Sequence, residues 1–442
     1  MMPKIKLFIN RLLRDIRGIL MWFTPGIGVK RWFVITLIGI TLLAVGAAYF
    51  LLDFYRTSSY EQLLPLLDVL SLRSFPRPVR VVIFLSLGLG ISFFGIWRLN
   101  IALLNPFLRK DRRLVEQIVD FRKKNRGSKV VVMGGGHGMA TLLRGLKKFT
   151  HNLTAVVTVA DDGGSSGMLR RSLGILPPGD IRNCLAALSN DEDLLGKLFQ
   201  YRFSDDSGLG GHSFGNLFIS ALADLTGSFE AAVSESGSVL GVHGTVLPAT
   251  LENVQLIADI QYPDLPNEVR VIGESSIPNA GGKIRRVHLE PNNPSAYPPV
   301  INQILNADMI VVGPGSLFTS LLPNMLVPEI LSALKASSAL KVFVVNIATQ
   351  KGETIGFSIQ DHIKVIEEQI GKGVFTIFVA NNNYERVLPE GVSWVKPEVG
   401  QKNPRLYFTD LTGEEQLWRH DPDKLATTLM NLLYERTGPL LG

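Results

Sequence analysis

Two glycine-rich segments, each preceded by an apolar run, have the composition that suits ligand chemistry. Residues 129–138 read KVVVMGGGHG, and residues 159–167 read VADDGGSSG. An apolar run that ends in consecutive glycines predicts a buried strand followed by a tight turn into a helix. Glycines in such a turn let the backbone approach a ligand, and they leave N–H groups free at the helix N-terminus, where phosphate is favoured. A turn that serves only packing is the alternative for either segment alone.

Two adjacent carboxylates, Asp161 and Asp162, stand between the second apolar run and its glycines. A nucleotide-binding βαβ unit places an acidic ribose contact about 20 residues after its glycine turn. Carboxylate oxygens are also the ligands that Mg²⁺ prefers. The first loop does not match G-x-G-x-x-G, and no Lys-Ser or Lys-Thr pair follows it as in a Walker A loop. The pair therefore predicts contacts with hydroxyl groups or with a metal ion.

A rigid turn enters another predicted helix at residues 176–183, LPPGDIRN. Asp180 stands at an N-cap position, where capping alone would explain it. Arg182 and Asn183 follow in the first helical turn. A cation there opposes the helix dipole, which favours a contact between Arg182 and a phosphate or carboxylate.

Residues 210–216, GGHSFGN, form a further glycine-rich entry to a predicted helix. His212 is the side chain in the sequence best suited to proton transfer at neutral pH. Ser213 and Asn216 are polar neighbours that could contact the same ligand. A histidine that only caps the helix is the alternative interpretation.

Residues 313–319, GPGSLFT, directly follow a predicted strand. Gly313 and Gly315 allow a tight turn, and Ser316 can cap the helix or bind an oxyanion. Parallel strands bring such turns together at the carboxyl edge of a sheet, where open α/β folds bind ligands. Four glycine turns into helices in one α/β body therefore favour one site for a polyanionic ligand.

The charge of the chain is divided unevenly. Residues 1–128 contain 20 of the 45 Lys and Arg but only 7 of the 39 Asp and Glu, a net charge of +13, whereas residues 129–442 carry −7. An acidic main body argues against a nucleic-acid-binding protein. The single cysteine, Cys184, excludes an intramolecular disulfide and a multi-cysteine metal site, and its apolar helical context predicts a buried side chain.

Two uncharged apolar runs in the basic region predict a transmembrane helical hairpin. Residues 33–52 could span a bilayer core as one helix, and residues 81–97 form a shorter run. Basic residues precede the first run and follow the second, so the positive-inside rule predicts that both termini and the main body are cytoplasmic. Residues 111–125 resemble a basic helix that leads from the membrane or rests on its headgroups. A buried apolar hairpin in a soluble domain is the alternative.

From residue 129 onward, predicted strands and helices alternate, which is typical of a mostly parallel sheet with helices on both faces. Residues 254–289 contain several strands without a long helix, which indicates an antiparallel extension or small subdomain. The predicted strands are residues 129–133, 153–160, 246–248, 254–260, 284–289, 309–312, 342–347 and 375–380.

The main body is similar to the CofD-like superfamily, named after 2-phospho-L-lactate transferase, and most similar to its YvcK branch, the gluconeogenesis factors. His137 departs from the usual GGGTG of the family, which leaves the backbone N–H groups in place but removes a side-chain hydroxyl. The blocks that carry the resemblance are GGGHG (134–138), VTVADDGGSSGMLR (157–170), LPPGDIRNCLAALS (176–189), FQYRF (199–203), GHSFGNLFISAL (211–222), VLPAT (246–250), GES (273–275) and GPGSLFTSLLPN (313–324).

The resemblance implies a Rossmann-like fold that occupies residues 129–442, after a membrane anchor and basic linker in residues 1–128. It further implies binding of UDP-sugars such as UDP-N-acetylglucosamine or UDP-glucose, and a role in cell shape and wall synthesis during gluconeogenic growth. An unidentified protein partner in wall synthesis or central metabolism would read the ligand state. The sequence leaves a homo-oligomer open.

Two hypotheses follow for the site. In the first, a binding protein holds diphosphate on its glycine turns and sugar or ribose hydroxyls on Asp161 or Asp162. In the second, a phosphotransferase holds Mg²⁺ on those two carboxylates, with Arg182 stabilising charge and His212 or an Asp moving the proton. The candidate ligand-binding residues are Gly134, Gly135, Gly136, His137, Gly138, Asp161, Asp162, Gly163, Gly164, Ser165, Asp180, Arg182, Asn183, His212, Ser213, Asn216, Gly313, Gly315 and Ser316.

Overall fold

The structure is a computed structural model of the 442-residue chain. The chain forms two compact units, Met1–Val119 and Asp120–Gly442, so the boundary lies nine residues before the one expected at residue 128. The residues that the structure describes are 29–55, 72, 75–104, 124–125, 127–189, 192–204, 208–400, 403–414 and 418–437.

Two long helices form the described part of the first unit, α1 (Val29–Tyr55) and α2 (Arg77–Leu104). They run antiparallel, with glycines where the backbones approach most closely. A methyl group added at Gly88 would lie 2.7 Å from Leu43 Cγ, and one added at Gly46 would lie 3.3 Å from Phe84 Cβ. Small residues at such positions are typical of tightly packed helix pairs, including pairs in membranes.

The expected pair of membrane spans is not supported by the structure. Within the described residues, one helix of the first unit, Arg77–Leu99, is long and apolar enough to cross a membrane. The apolar segment found in the other helix, Val34–Tyr49, is shorter. A single such helix is weak support, because core helices and signal sequences have the same composition. The predicted basic helix at residues 111–125 lies almost wholly outside the described residues.

Within the described residues of the second unit, ten strands form two sheets. They are β1 (Val130–Gly134), β2 (Leu153–Val157), β3 (Thr245–Pro248), β4 (Gln255–Gln261), β5 (Val269–Ile272), β6 (Lys283–Glu290), β7 (Met309–Val312), β8 (Leu340–Val344), β9 (Ile377–Asn381) and β10 (Leu406–Thr409).

The larger sheet has seven strands in the order β10-β9-β8-β7-β1-β2-β3, and every neighbouring pair is parallel. All residues of β1, β2 and β7 are buried, so both faces of the sheet are covered. This confirms the predicted α/β fold with a mostly parallel, Rossmann-like sheet. The central pair matters for function, because β1 and β7 are adjacent although about 180 residues separate them.

The helices of the second unit cover the sheet and include a closing C-terminal helix. They are α3 (Gly136–Leu146), α4 (Gly164–Leu173), α5 (Gly179–Leu188), α6 (Lys197–Gln200), α7 (Phe214–Thr226), α8 (Phe229–Val239), α9 (Pro298–Leu305), α10 (Leu322–Met325), α11 (Pro328–Ala336), α12 (Ile359–Ile370) and α13 (Pro422–Thr437). Cys184 on α5 is fully buried, as predicted, and burial raises the pKa of its thiol well above the ordinary range.

A small antiparallel sheet, with the strand order β5-β4-β6, occupies the region between β3 and β7 in the chain. The prediction of an antiparallel extension in residues 254–289 is therefore confirmed. The sequence analysis did not predict β5 or β10. Helix α4 begins at the glycine turn of residues 163–167, as expected for a glycine-rich entry to a helix, and Gly164 adopts a φ of +43° at its start.

Candidate functional site

The first glycine turn joins β1 to α3, as the sequence predicts. Gly136 has a φ of +67°, in the left-handed region that favours glycine. Gly135 is the extended residue that precedes the helix, and a Cβ there would lie 2.5 Å from the Asp180 Oδ2 atom and 3.0 Å from Thr158 Cγ2. The turn can therefore pack this closely only with glycine at position 135.

The glycine turn at residues 313–316 follows β7 and lies against the turn between β1 and α3. A Cβ at Gly138 would lie 2.5 Å from the carbonyl oxygen of Pro314, so the two backbones touch. Asn346, just after β8, braces the turn: its Nδ2 donates to the carbonyl of Gly315 at 2.8 Å, and its Oδ1 accepts from the Gly315 N–H at 3.3 Å. Three adjacent strands thus end in one backbone cradle.

A cavity of about 490 Å³ opens above these turns at the carboxyl edge of the sheet. This volume is within the range of small-molecule sites. Eight of the candidate residues line it: Gly135, Gly136, His137, Gly138, Asp161, Asp180, Gly315 and Ser316. The candidate residues that are not among its lining residues are Gly134, Asp162, Gly163, Gly164, Ser165, Arg182, Asn183, His212, Ser213, Asn216 and Gly313.

One side of the cavity is acidic and carries Asp161, Asp180 and Glu274. Burial raises the pKa of Asp161, whose Oδ1 accepts from the Gly163 N–H at 2.9 Å. Burial, reinforced by the neighbouring Asp161, raises the pKa of Asp180 to about 7, although Asp180 accepts from the Gly136 N–H. Burial and the surrounding carboxylates raise the pKa of Glu274 to about 8. Because these pKa values are raised, some of the carboxyl groups are protonated near neutral pH. This side of the cavity can therefore bind uncharged polar groups such as hydroxyls.

Basic side chains line the cavity as well. His137 lies in the first turn of α3, and Arg419 lines the same cavity. Burial, followed by the positive charges of Arg419 and Arg182, lowers the pKa of His137. A helix N-terminus and an arginine that line one cavity together suit the binding of an anion. The cavity thus offers an anion site and a carboxyl-lined site within one volume.

The two adjacent carboxylates point in different directions. Asp161 faces the cavity, whereas Asp162 Oδ1 accepts a hydrogen bond from the backbone N–H of Ser275 at 2.9 Å. Among the described residues, no group of three or more His, Cys, Asp or Glu side chains is arranged to hold a metal ion. The predicted Mg²⁺ site on Asp161 and Asp162 stays a prediction, and it would require Asp162 to leave its present partner.

Arg182 is the centre of a polar cluster beside the cavity. It is 4% exposed and donates to Ser213 Oγ and to the side-chain oxygens of Asn216 and Asn183, the last two at 3.0 Å. Ser165 Oγ lies 3.0 Å from His212 Nδ1 and accepts from Asn216 Nδ2 at 3.0 Å.

These six residues form one hydrogen-bonded cluster between α4, α5 and α7, and their predicted contact with a ligand stays a prediction. Burial lowers the pKa of Arg182 to about 10. The positive charge of Arg182 in turn contributes to the lowered pKa of His137, which lines the cavity.

Several cavity residues were missed by the sequence analysis. Asn346 and Gln350 follow β8, and Gln350 Nε2 donates to Ser316 Oγ at 3.0 Å. Trp418 and Arg419 reach the cavity from the segment before α13. A polar residue just after an apolar strand, such as Asn346, is a sequence signal that could have identified a cavity residue. Nothing local in the sequence marks Trp418 and Arg419 as cavity residues.

Comparison with known proteins agrees with this geometry. Residues 130–402 match the family model of 2-phospho-L-lactate transferase CofD. A gluconeogenesis factor from Listeria monocytogenes is 44% identical over 324 residues, covering 71% of this chain and 98% of its own length. The chain belongs to the gluconeogenesis factor family. Its second unit is accordingly a CofD domain, with both glycine turns inside the matched residues.

The family includes long and short members. A relative from Nostoc sp. strain PCC 7120 is 41% identical over 432 residues and covers 92% of this chain. The crystal structure of a UPF0052-family protein from Bacillus halodurans aligns with a TM-score of 0.63 and 41% identity, over 69% of this chain and 99% of that one. The CofD domain therefore occurs without the first unit in some gluconeogenesis factors.

Proposed function

We propose that the CofD domain binds a UDP-sugar, such as UDP-N-acetylglucosamine or UDP-glucose, and acts as a ligand-dependent regulator. The observation that carries this proposal is the contact between Gly138 and Pro314, which joins the glycine turns of β1 and β7 into one cradle. Backbone N–H groups of both turns, apart from those of Gly136 and Gly315 that donate to Asp180 and Asn346, would hold the diphosphate. Arg419 would add a charge-assisted contact, since it lines the same cavity.

The remaining parts of such a ligand suit the rest of the cavity. Asp161, Asp180 and Glu274 present carboxyl oxygens to sugar hydroxyls. Trp418, which is 40% exposed at the cavity, offers a face on which the uracil base could stack. Binding rather than phosphoryl transfer is proposed because Asp162, one of the two carboxylates needed for Mg²⁺, is engaged by Ser275.

The biological role belongs to the same proposal. The relatives are named for gluconeogenesis, and the family resemblance implies a role in cell shape and wall synthesis when cells grow on gluconeogenic carbon sources. A UDP-sugar would report the supply of wall precursors. A protein partner in wall synthesis or central metabolism would then respond to the occupied domain.

UDP-sugars are expected to stabilise the full-length protein in detergent. Ligand at 100 times its Kd should add about 2.7 kcal/mol to the free energy of unfolding. The measurement is the melting temperature with UDP-N-acetylglucosamine, UDP-glucose, GTP or NAD, each with Mg²⁺ or EDTA. A rise with GTP or NAD alone would contradict the proposal. Product formation from any bound nucleotide that depends on Mg²⁺ would favour the transferase hypothesis.

We further propose that the first unit anchors the protein in the membrane through α1 and α2, with the CofD domain in the cytoplasm. Both helices carry exposed apolar side chains: Leu37 on α1 is 54% exposed, and on α2 Val82 is 64% and Phe93 74% exposed. A helix with exposed apolar side chains on its free faces suits lipid better than water. The basic residues on both flanks give the orientation.

The topology predicts different labelling of two introduced cysteines. Ser59→Cys, in the loop between the apolar runs, should react with an impermeant thiol reagent on intact cells. Ser332→Cys, on the exposed side of α11, should react only after permeabilisation. The native Cys184 is buried and should contribute little background. Labelling of Ser332→Cys but not of Ser59→Cys on intact cells would reverse the orientation.

A further inference from the structure

The turn after β5 brings an additional carboxyl group into the cavity. β5 ends at Ile272, and Gly273 follows with a φ of +104°. The Gly273 N–H donates to the carbonyl of Leu256 on β4 at 2.8 Å, which extends the small sheet by one bond. Glu274 then lines the ligand cavity. The small sheet therefore contributes a side chain to a site that otherwise belongs to the large sheet.

Asp162 holds this turn from the side of the large sheet. Its Oδ1 accepts from the Ser275 N–H at 2.9 Å, and its Cγ lies 3.5 Å from the position of a Cβ on Gly273. The carboxylate thus contacts the residues on both sides of Glu274. A Cβ on Gly163 would lie 3.5 Å from Ser275 Cβ, so the Asp162 loop and the turn are in direct contact.

The residues after the turn are packed from the other side. A short 3₁₀-helix, Ile277–Asn279, follows the turn, and the carbonyl of Pro278 lies directly against Gly352. Gly352 has a φ of +80° and leaves no room for a side chain there. The turn is therefore fixed between Asp162 and the segment that contains Glu353.

The Glu274 carboxyl has no hydrogen-bond partner within the part of the chain that the structure describes. Four carboxylates act on it electrostatically, Asp161, Asp180, Glu353 and Asp162, and with burial they raise its pKa to about 8. A neutral carboxylic acid both donates and accepts a hydrogen bond. At neutral pH Glu274 can therefore bind a hydroxyl group in either direction.

We propose that Glu274 contacts the hydroxyl groups of the sugar portion of the ligand, and that Asp162 is the positioning residue that holds Glu274 in place. This inference rests on the proposed binding of a UDP-sugar. It differs from the transferase hypothesis, in which both carboxylates of the Asp161–Asp162 pair hold Mg²⁺. It also assigns the small sheet a role in specificity, because the turn after β5 carries the selective side chain.

The test compares UDP with UDP-N-acetylglucosamine by calorimetry on the full-length protein. Glu274→Ala should weaken binding of the UDP-sugar by about 10-fold, roughly 1.4 kcal/mol, and leave UDP within about 2-fold. Glu274→Gln should retain the wild-type preference at pH 7, because an amide also donates and accepts. Glu268→Gln, an exposed change just before β5, is the matched control and should alter neither affinity.

The pH profile separates a contact from a packing role. The wild-type preference for the UDP-sugar over UDP should fall as the pH rises from 7 to 9, because an ionised Glu274 no longer donates and repels its neighbours. In Glu274→Gln this fall should be absent. Equal loss of UDP and UDP-sugar in Glu274→Ala, or no loss of either, would overturn the inference. If the wild type does not bind UDP, the proposed function fails and this inference fails with it.

Asp162 is tested by rescue and by non-additivity. Asp162→Ala should lower the affinity for the UDP-sugar about as much as Glu274→Ala, whereas Asp162→Asn should restore most of it, since an amide oxygen accepts from Ser275. The double variant Asp162→Ala, Glu274→Ala should be no worse than either single variant, because both changes remove the same contact. Additive losses, or a parallel loss of UDP binding in Asp162→Ala, would show that Asp162 does not act through Glu274.

Discussion

Gly135→Val is expected to lower the affinity for UDP and UDP-sugars by more than about 100-fold, roughly 2.7 kcal/mol. A Cβ at this position would already lie 2.5 Å from Asp180 Oδ2, 3.0 Å from Thr158 Cγ2 and 3.4 Å from Ser320 Cβ. The valine methyl groups extend further than the Cβ, so the turn between β1 and α3 must be displaced from its present position. The backbone N–H groups that are proposed to hold the diphosphate would move with it.

His137→Thr is the matched change in the same turn and should keep the affinity within about 10-fold. His137 belongs to the first turn of α3, where its carbonyl accepts from Thr141 Oγ1 at 3.0 Å, and threonine preserves that backbone. Calorimetry with UDP on both variants gives the comparison, and melting temperatures show whether each variant folds. Equal losses of affinity would mean that the His137 ring contacts the ligand directly.

The fold was predictable because its main determinants are local. Apolar runs that end in glycine mark β1 and β7, and β7 coincides with the predicted residues 309–312. Parallel pairing then places both turns at one edge of the sheet, whatever the distance between them in the chain. The strands at the periphery were harder: β5 and β10 are only four residues long, and most of their residues are exposed or half-buried, so neither has a strong apolar pattern.

The site was predictable in its backbone but only partly in its side chains. A sequence motif places Asp161 and Asp162 on one loop, but the direction of each carboxylate depends on the segments packed around it. Asp162 accepts a hydrogen bond from the backbone N–H of Ser275, which is more than 100 residues away in the chain. Arg182 was expected to meet a ligand anion, which stays a prediction; its guanidinium bonds Ser213, Asn216 and Asn183 in a buried cluster. Such long-range partners have no local signature.

Asp180 is expected to make the stability of the CofD domain depend on pH. The free energy of unfolding of the CofD domain is expected to fall by roughly 2 kcal/mol through Asp180 alone between pH 5 and pH 7. Burial raises the pKa of this carboxyl from the ordinary 3.8 to about 7, so the native state binds the proton more tightly than the unfolded chain does. The resulting stabilisation is full below pH 3.8 and is lost as the pH rises through 7.

Asp180→Asn isolates this contribution, because an amide stays neutral and its oxygen can still accept from the Gly136 N–H. The stability of Asp180→Asn relative to wild type should rise by roughly 3 kcal/mol between pH 5 and pH 8. The measurement is urea denaturation of residues 120–442, the part that corresponds to nearly the whole Bacillus halodurans protein. Asp264→Asn, on an exposed loop, is the control and should follow the wild-type curve.

A difference between Asp180→Asn and wild type that stays constant from pH 5 to pH 8 would contradict this electrostatic account. It would mean that Asp180 is ionised throughout and is stabilised by the Gly136 N–H and by Arg182, the two groups that lower its pKa. The carboxylate would then repel a diphosphate placed on the same turn. In the expected case, Asp180 is largely protonated below pH 7, and the turn that it braces can receive an anion without a charge beside it.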